Sequence, residues 1–220
     1  MTEVEALYPF LYADTSNIDA VLQEVRRSTV DKANEIIALR RQVLAVDGAR
    51  LAECADDMAE RFVAGGRLLT FGNGGSSTDS QDLASLFLGH ERPLPAFGLT
   101  NDIAVVTALS NDVGFDVVFS RQIAAFARSG DIAVGLSTSG NSANLLRAFD
   151  EAARRGLLTV GIAGYDGGKM AELDSIDYLF VVNSASVHRI QEAQTTIYHV
   201  LWELTLTLTS SAASMRGDPS

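Results

Sequence analysis

After Gly65-Gly66 the sequence alternates short apolar runs with segments of helical character, and no other feature restricts the fold as strongly. The runs are RLLTF (67–71), PAFGLT (95–100), DIAVGLS (131–137), LLTVGIAG (157–164) and DYLFVVN (177–183). Between them, 76–88, 102–110, 116–128 and 141–155 read as helices. Strands separated in this way by helices pair in parallel through crossover units and are covered on both faces. The fold class is therefore α/β: a three-layer sandwich around a five-stranded parallel sheet. A long helix over about 188–210 follows the last strand; its VLWELTLTLTS run is apolar but broken by glutamate and threonines, as in a buried or subunit-facing helix.

Ahead of the sheet, from Asn17 to about Ala64, glycine is almost absent and apolar residues recur at helical spacing. They are Ile18, Val21, Leu22 and Val25, then Ile36, Ile37, Leu39, Val43 and Leu44, then Leu51, Met58, Phe62 and Val63. Two or three additional N-terminal helices are expected there. Residues 1–16 have no clear period and read as an extension or arm. With no strong internal repeat and no low-complexity linker, the economical division is an N-terminal extension and helix over 1–47, one main domain over 48–210, and a disordered tail over 211–220.

The chain has 220 residues, enough to bury a core without staples, and a formal net charge of −11. That charge argues against nucleic acid and anionic membrane as partners, leaving small soluble ligands or proteins. One cysteine, Cys54, excludes an internal disulfide framework and a cysteine-rich zinc site. The acidic start MTEVEALYPF lacks the features of a signal peptide, and no run approaches the ~20 apolar residues of a membrane span. A cytoplasmic location is the expectation.

Open parallel sheets bind ligands beyond the carboxyl ends of their strands, where strand order reverses. In the order 2-1-3-4-5 that crevice lies between strands one and three, which end in GNGGSS (72–77) and STSGNS (137–142). Both loops lead into helices. Helix amino ends offer free N–H groups and positive partial charge, glycines admit a ligand to the backbone, and serines add hydroxyl donors. GNGGSS is neither a dinucleotide fingerprint, having Ser77 where the third glycine belongs, nor a P-loop, lacking its Lys-Ser/Thr ending. Gly, Asn and Ser are also ordinary turn and cap residues, so either loop alone has a structural reading. The pair, at the switch-point strands, points to an anionic small-molecule site.

Together with ALSNDVGF (108–115), GDIAVGLSTSGNSANLLRAF (130–149), GYDGGKM (164–170) and RIQEAQTTIYH (189–199), these loops give the chain a resemblance to the sugar isomerase (SIS) domain family over about residues 48–205. It looks most similar to the phosphoheptose isomerases, with a longer N-terminal segment than they carry. The resemblance implies a flavodoxin-like fold, a homotetramer with sites at subunit interfaces, and sugar phosphate as the ligand. It assigns the phosphate to Ser76, Ser137, Thr138, Ser139 and Ser142, and adds Asn73, Gly74, Gly75, Asp112 and Gln191 as further substrate-binding residues.

The reaction it implies interconverts sedoheptulose 7-phosphate and an aldoheptose 7-phosphate through an enediol. A base must move a carbon-bound proton while an acid or base serves the oxygens. In the resembling enzymes a glutamate on the helix after the first loop and a histidine on the last helix take these roles, and a zinc ion can be held by a histidine, that glutamate, a glutamine and the last-helix histidine. Here Gln191 and His199 match the glutamine and histidine, about 80° apart around one helix. Asp82 stands at the histidine position of the other helix, and Leu86 at the glutamate position. Catalysis is accordingly assigned to His199 and Asp82. Zinc is left with the incomplete set Asp82, Gln191 and His199, and no metal is predicted. The alternative reading is a non-catalytic module that binds a sugar phosphate or a protein partner, as in the related replication-initiator-associating proteins, which also lack that carboxylate.

Other polar residues have plainer readings. His188 and His90 are surface or hinge residues, His90 with Glu91 and Arg92 lying near the altered helix. Asn111 and Asp112 could cap a helix from Asp116, Asp166–Lys169 reads as a turn, and Arg189 pairs with Glu192 at helical spacing.

Overall fold

The computed structural model describes residues 18–215, with side chains through residue 212. The N-terminal arm and residues 216–220 of the tail lie outside the described residues. The described elements are α1 (Ile18–Val63), β1 (Leu68–Gly72), α2 (Gly75–Leu88), β2 (Ala96–Gly98), α3 (Ile103–Asp112), a 3-10 turn (Phe115–Val117), α4 (Val118–Phe126), β3 (Ile132–Ser137), α5 (Ala143–Arg154), β4 (Leu158–Gly164), a second 3-10 turn (Gly168–Glu172), β5 (Tyr178–Val182) and α6 (Val187–Met215).

Two units are distinguished, whose described residues are 18–38 and 39–215. In the first, the described stretch from Ile18 is helical and carries exposed Val21, Leu22, Val25 and Val30, with an Arg27–Glu24 ion pair at 2.5 Å. Where the apolar spacing suggests two or three helices, the chain forms one, 46 residues long. Nothing in 18–63 forces a break: proline is absent, and the single glycine, Gly48, costs only about 1 kcal/mol in a helix interior. The last helix likewise runs past 210, to Met215.

The second unit holds the sheet, whose five strands are all parallel in the order β2-β1-β3-β4-β5. That is the order expected from the sequence, and each strand falls within two residues of its apolar run. β1, β3 and β4 are buried along their whole length because helices cover both faces. On one face Phe71 packs against Phe119 of α4 and Phe149 of α5, with ring centroids 5.5 and 5.3 Å apart. A methyl group at Gly135 would come within 2.6 Å of both Phe71 and Phe149, so this mid-strand glycine makes room for the aromatic cluster. On the other face Phe62 of α1 meets Phe87 of α2 at 5.2 Å. β1 and β3 are neighbours, Gly72 opposite Leu136, so the loops after them open side by side where strand order reverses.

Candidate active site

The first loop begins at Gly72, where a side chain would meet Ser76 O at 2.4 Å and Leu136 O at 3.0 Å. Glycine therefore lets α2 start directly above the strand end. Gly74, at φ 57°, is its N-cap, and Ser142 is the N-cap of α5; neither closes its helix with a side-chain hydrogen bond. The contrast is α3, where Asp102 accepts from the N–H groups of Ala104 and Val105 at 3.0 and 3.1 Å. Both helix ends at the switch point thus keep their dipole for a ligand; in their first turns the N–H groups of Ser76 and Ser77 already donate to Asn73 O and Gly74 O, and those of Leu145 and Leu146 to Ser142 O, which leaves the amides of Gly75, Ala143 and Asn144 ahead of them.

A reciprocal amide pair locks the two ends together. Asn73 Nδ2 donates to Asn144 Oδ1, and Asn144 Nδ2 donates to Asn73 Oδ1, both at 2.9 Å. Inside the second loop, Ser137 Oγ accepts from Gly140 N–H at 3.0 Å and Ser139 Oγ accepts from Asn141 N–H at 3.2 Å. The loop after β4 supports it from behind: Met170 N–H donates to Gly140 O and Lys169 N–H to Asn141 Oδ1, each at 3.0 Å. Buried Gln194 donates to Ile162 O at 3.2 Å and to Ser137 O at 3.4 Å, tying α6 to the ends of β3 and β4.

Helices α2 and α6 meet in parallel register. A methyl group at Gly75 would lie 2.2 Å from Gln191 Nε2, which sets that amide over the first loop. Two turns on, Tyr198 OH donates to Asp82 Oδ2 at 2.8 Å. One turn further, Leu86 and Trp202 line one groove with Asp82, His90 and Glu91. Each rung joins residues 116 positions apart, and the same offset sets Asp79 level with Thr195. The buried ring of Tyr198 stacks on His199, centroids 4.9 Å apart. His199 Nδ1 lies 2.8 Å from Thr195 O; a carbonyl only accepts, so Nδ1 carries the proton and Nε2 of the neutral ring is a base or acceptor.

Burial, with the charge of Asp82 added, pushes the Asp79 carboxyl up to about 6, and its Oδ2 is buried with no hydrogen-bond partner. Burial is also the main cause that drives the Tyr198 phenol well above its usual range; the bond to Asp82 adds to it and one with Thr195 opposes it.

Of the residues singled out in the sequence, Asn73, Gly74, Gly75, Ser76, Ser137, Thr138, Ser139, Ser142 and Gln191 surround the switch-point crevice, and Asp82 and His199 meet at Tyr198. Asp112 is placed differently. It is the last residue of α3, exposed, and accepts from Asn111 at 2.7 Å. The cap expected of Asn111 and Asp112 does not form: the turn from Phe115 starts at Gly114 without a side-chain cap, while Asp116 pairs with Arg147 at 2.7 Å. Arg189 pairs with Glu192 as its spacing suggests. Asn144, Tyr198, Gln194 and Asp79 were not read from the sequence. The only local trace of Asn144 is that GNSAN carries a second asparagine, just inside the helix start.

The donor set for zinc does not fit within this chain. Leu86 offers no donor atom, the Asp82 carboxylate takes the Tyr198 hydroxyl, and Gln191 and His199 are about 12 Å apart along α6. Among the described residues no three His, Cys, Asp or Glu side chains converge to hold an ion.

A doubly wound parallel sheet with two open helix ends locked together at its switch point defines an α/β protein shaped to receive an anionic small ligand. Comparison with known proteins narrows the class. Residues 33–164 match the SIS domain family. A phosphoheptose isomerase of Nitratidesulfovibrio vulgaris is 42% identical over 187 residues, covering 83% of this chain and 89% of that protein. One from Desulfovibrio desulfuricans is 45% identical over 171 residues, 76% of this chain and 80% of the other. The solved phosphoheptose isomerase of Neisseria gonorrhoeae superposes with a TM-score of 0.77 at 35% identity, covering 82% of this chain and 99% of that one. That of Francisella tularensis gives 0.74 at 28% identity, covering 88% and 100%. The chain belongs to the SIS domain family and, within it, to the phosphoheptose isomerases.

Proposed function

We propose that the protein is a sugar-phosphate aldose–ketose isomerase that interconverts sedoheptulose 7-phosphate and an aldoheptose 7-phosphate. The observation that carries this reading is the pair of uncapped helix ends, α2 at Gly74 and α5 at Ser142, joined by the Asn73–Asn144 amide pair. A phosphate dianion there takes the leading N–H groups of the two helices, Gly75, Ala143 and Asn144, and the hydroxyls of Ser76, Ser137, Thr138, Ser139 and Ser142. Gln191, over Gly75, is positioned to donate to a sugar oxygen.

For the proton chemistry, the Asp82 carboxylate takes the proton from C1 of the ketose, and the bonding pair becomes the C1–C2 double bond as the C2 carbonyl pair moves onto O2. His199, with Nε2 as the unprotonated nitrogen, takes the O1 proton and passes it to O2. The charge left on O1 then forms the C1 carbonyl as Asp82 returns the carried proton to C2. Asp82 takes the place of the glutamate that Leu86 replaces, and the Tyr198 hydroxyl fixes its rotamer. The same reading makes the protein a cytoplasmic homotetramer. Sites at its subunit interfaces would join the cradle of one chain to the Asp82–Tyr198–His199 cluster of another, bridging the separation along α6.

Turnover by the purified protein tests this. It is expected to convert sedoheptulose 7-phosphate to the aldose. Ser142→Ala should raise KM with little change in kcat, and Asp82→Asn should lower kcat on the order of 100-fold, the usual scale of a lost general base. Tight binding with no product from the wild-type protein would instead identify a non-catalytic binding module.

A further inference from the structure

The groove beside Asp82 has a volume of about 510 Å³, within the range of small-ligand sites. Its polar members divide into acceptors and donors. Asp82 and Glu91 are carboxylates, and Asp82 already holds the Tyr198 hydroxyl. Of the groups that could donate, Ser85 Oγ is spent on Gln81 O at 2.6 Å and Gly89 N–H on Ser85 O at 2.8 Å. Trp202 Nε1 is sealed from the surface. There remains His90, half-buried on the short segment that leads from α2 to β2.

The backbone decides which nitrogen of His90 carries the proton. Arg92 N–H donates to Nδ1 at 3.2 Å, whereas Arg92 O stands farther from the same atom, at 3.4 Å. Nδ1 is therefore the accepting nitrogen, and Nε2 of the neutral ring bears the hydrogen. His199 has the opposite tautomer, with Nδ1 donating to Thr195 O and Nε2 free to accept. Trp202 connects the two: its ring meets His199 edge-on, centroids 6.3 Å apart, and lines the groove with His90. An accepting imidazole on α6 is thus paired with a donating one just past α2.

We infer that His90 is a further catalytic residue, a neutral imidazole whose Nε2–H donates to O2 of the ketose and holds the charge that gathers there. This role presupposes the isomerase reading, in which Asp82 is the base. As Asp82 takes the C1 proton, the C1–H pair becomes the C1–C2 double bond and the C2 carbonyl pair moves onto O2. His199 has no hydrogen on Nε2 until it takes the O1 proton, so it cannot meet that charge as it forms. His90 can, and it keeps its own proton throughout, which leaves the proton count of the step unchanged. A fixed donor beside a developing oxyanion stabilises the transition state more than the bound ketose, so its loss appears in kcat rather than KM.

Two substitutions separate this role from a structural one. His90→Asn keeps an amide oxygen that can accept from Arg92 N–H but places nothing at Nε2, while His90→Gln carries an amide N–H out to that position. In His90→Asn, kcat for sedoheptulose 7-phosphate should fall on the order of 100-fold with KM unchanged, and His90→Gln should recover much of the loss. Fluorescence of Trp202, the single tryptophan of the chain, reads binding of the same sugar phosphate and should give one Kd for all three proteins. His90→Asn at wild-type kcat, or His90→Gln no more active than His90→Asn, overturns the inference. An inert wild type that still binds the sugar phosphate overturns the isomerase reading and this role with it; an active wild type with indifferent variants removes His90 alone.

Discussion

Asp79 gives up hydration on folding and gains no hydrogen bond for the oxygen it buries. Its carboxyl moves from 3.8 to about 6, so the folded chain binds this proton more tightly than the unfolded chain. The resulting stability is fully present below about pH 4, falls as pH rises to about 6, and stays lost above it. After screening of the partly exposed side chain, about 1–2 kcal/mol is at stake. Asp79→Asn, neutral throughout, should therefore be the more stable protein at pH 7.5 and should lack the decline between pH 4 and 6. Urea unfolding midpoints across that range read the difference; parallel curves for the two proteins would contradict it. Such a residue escapes a sequence reading because its burial depends on α6, more than a hundred positions away. In STDSQD it looks like a solvated aspartate in a first helical turn. The placement of Ser76, Ser137 and Ser142 beside the ends of β1 and β3 was legible for the opposite reason, since glycines and a helix start make it locally.

Among the elements, α2 and α5 depend on each other at their amino ends. Asn144 is 2% exposed, and its amide is satisfied by Asn73 alone among the described side chains. Asn144→Ala should cost about 1–3 kcal/mol, because the Asn73 amide is left without its partner. It should also raise KM for the sugar phosphate by loosening the angle between the helix ends. Adding Asn73→Ala should cost less than the sum of the single changes, as a double-mutant cycle in urea will show; strict additivity would mean the pair is not coupled. Element types were largely legible, since each strand is an apolar run and each helix a periodic segment. Element ends were less so. Three clusters of apolar residues in 18–63 suggest separate helices, yet Asp47-Gly48 lies inside one helix, with Asp47 held by Arg50 at 3.4 Å. The segment after Asn111 also divides differently, because Gly114 at φ 135° ends one element and starts the next.

At the scale of the whole molecule, the strand order follows from the crossover rules of parallel sheets, and with it the meeting of GNGGSS and STSGNS. The sequence could not reveal the register of α2 on α6, which brings Tyr198 to Asp82 and Gln191 to Gly75. Packing decides that register, and with it which carboxylate of α2 stands beside Tyr198. The most direct measurement is solvent exchange in D₂O: sedoheptulose 7-phosphate is incubated with the protein, and deuterium at C1 and C2 is followed by NMR. Deuterium entering at C1 of the ketose and C2 of the aldose, abolished by Asp82→Asn, is the predicted result. Saturable binding of the sugar phosphate with both carbons still fully protonated would contradict it.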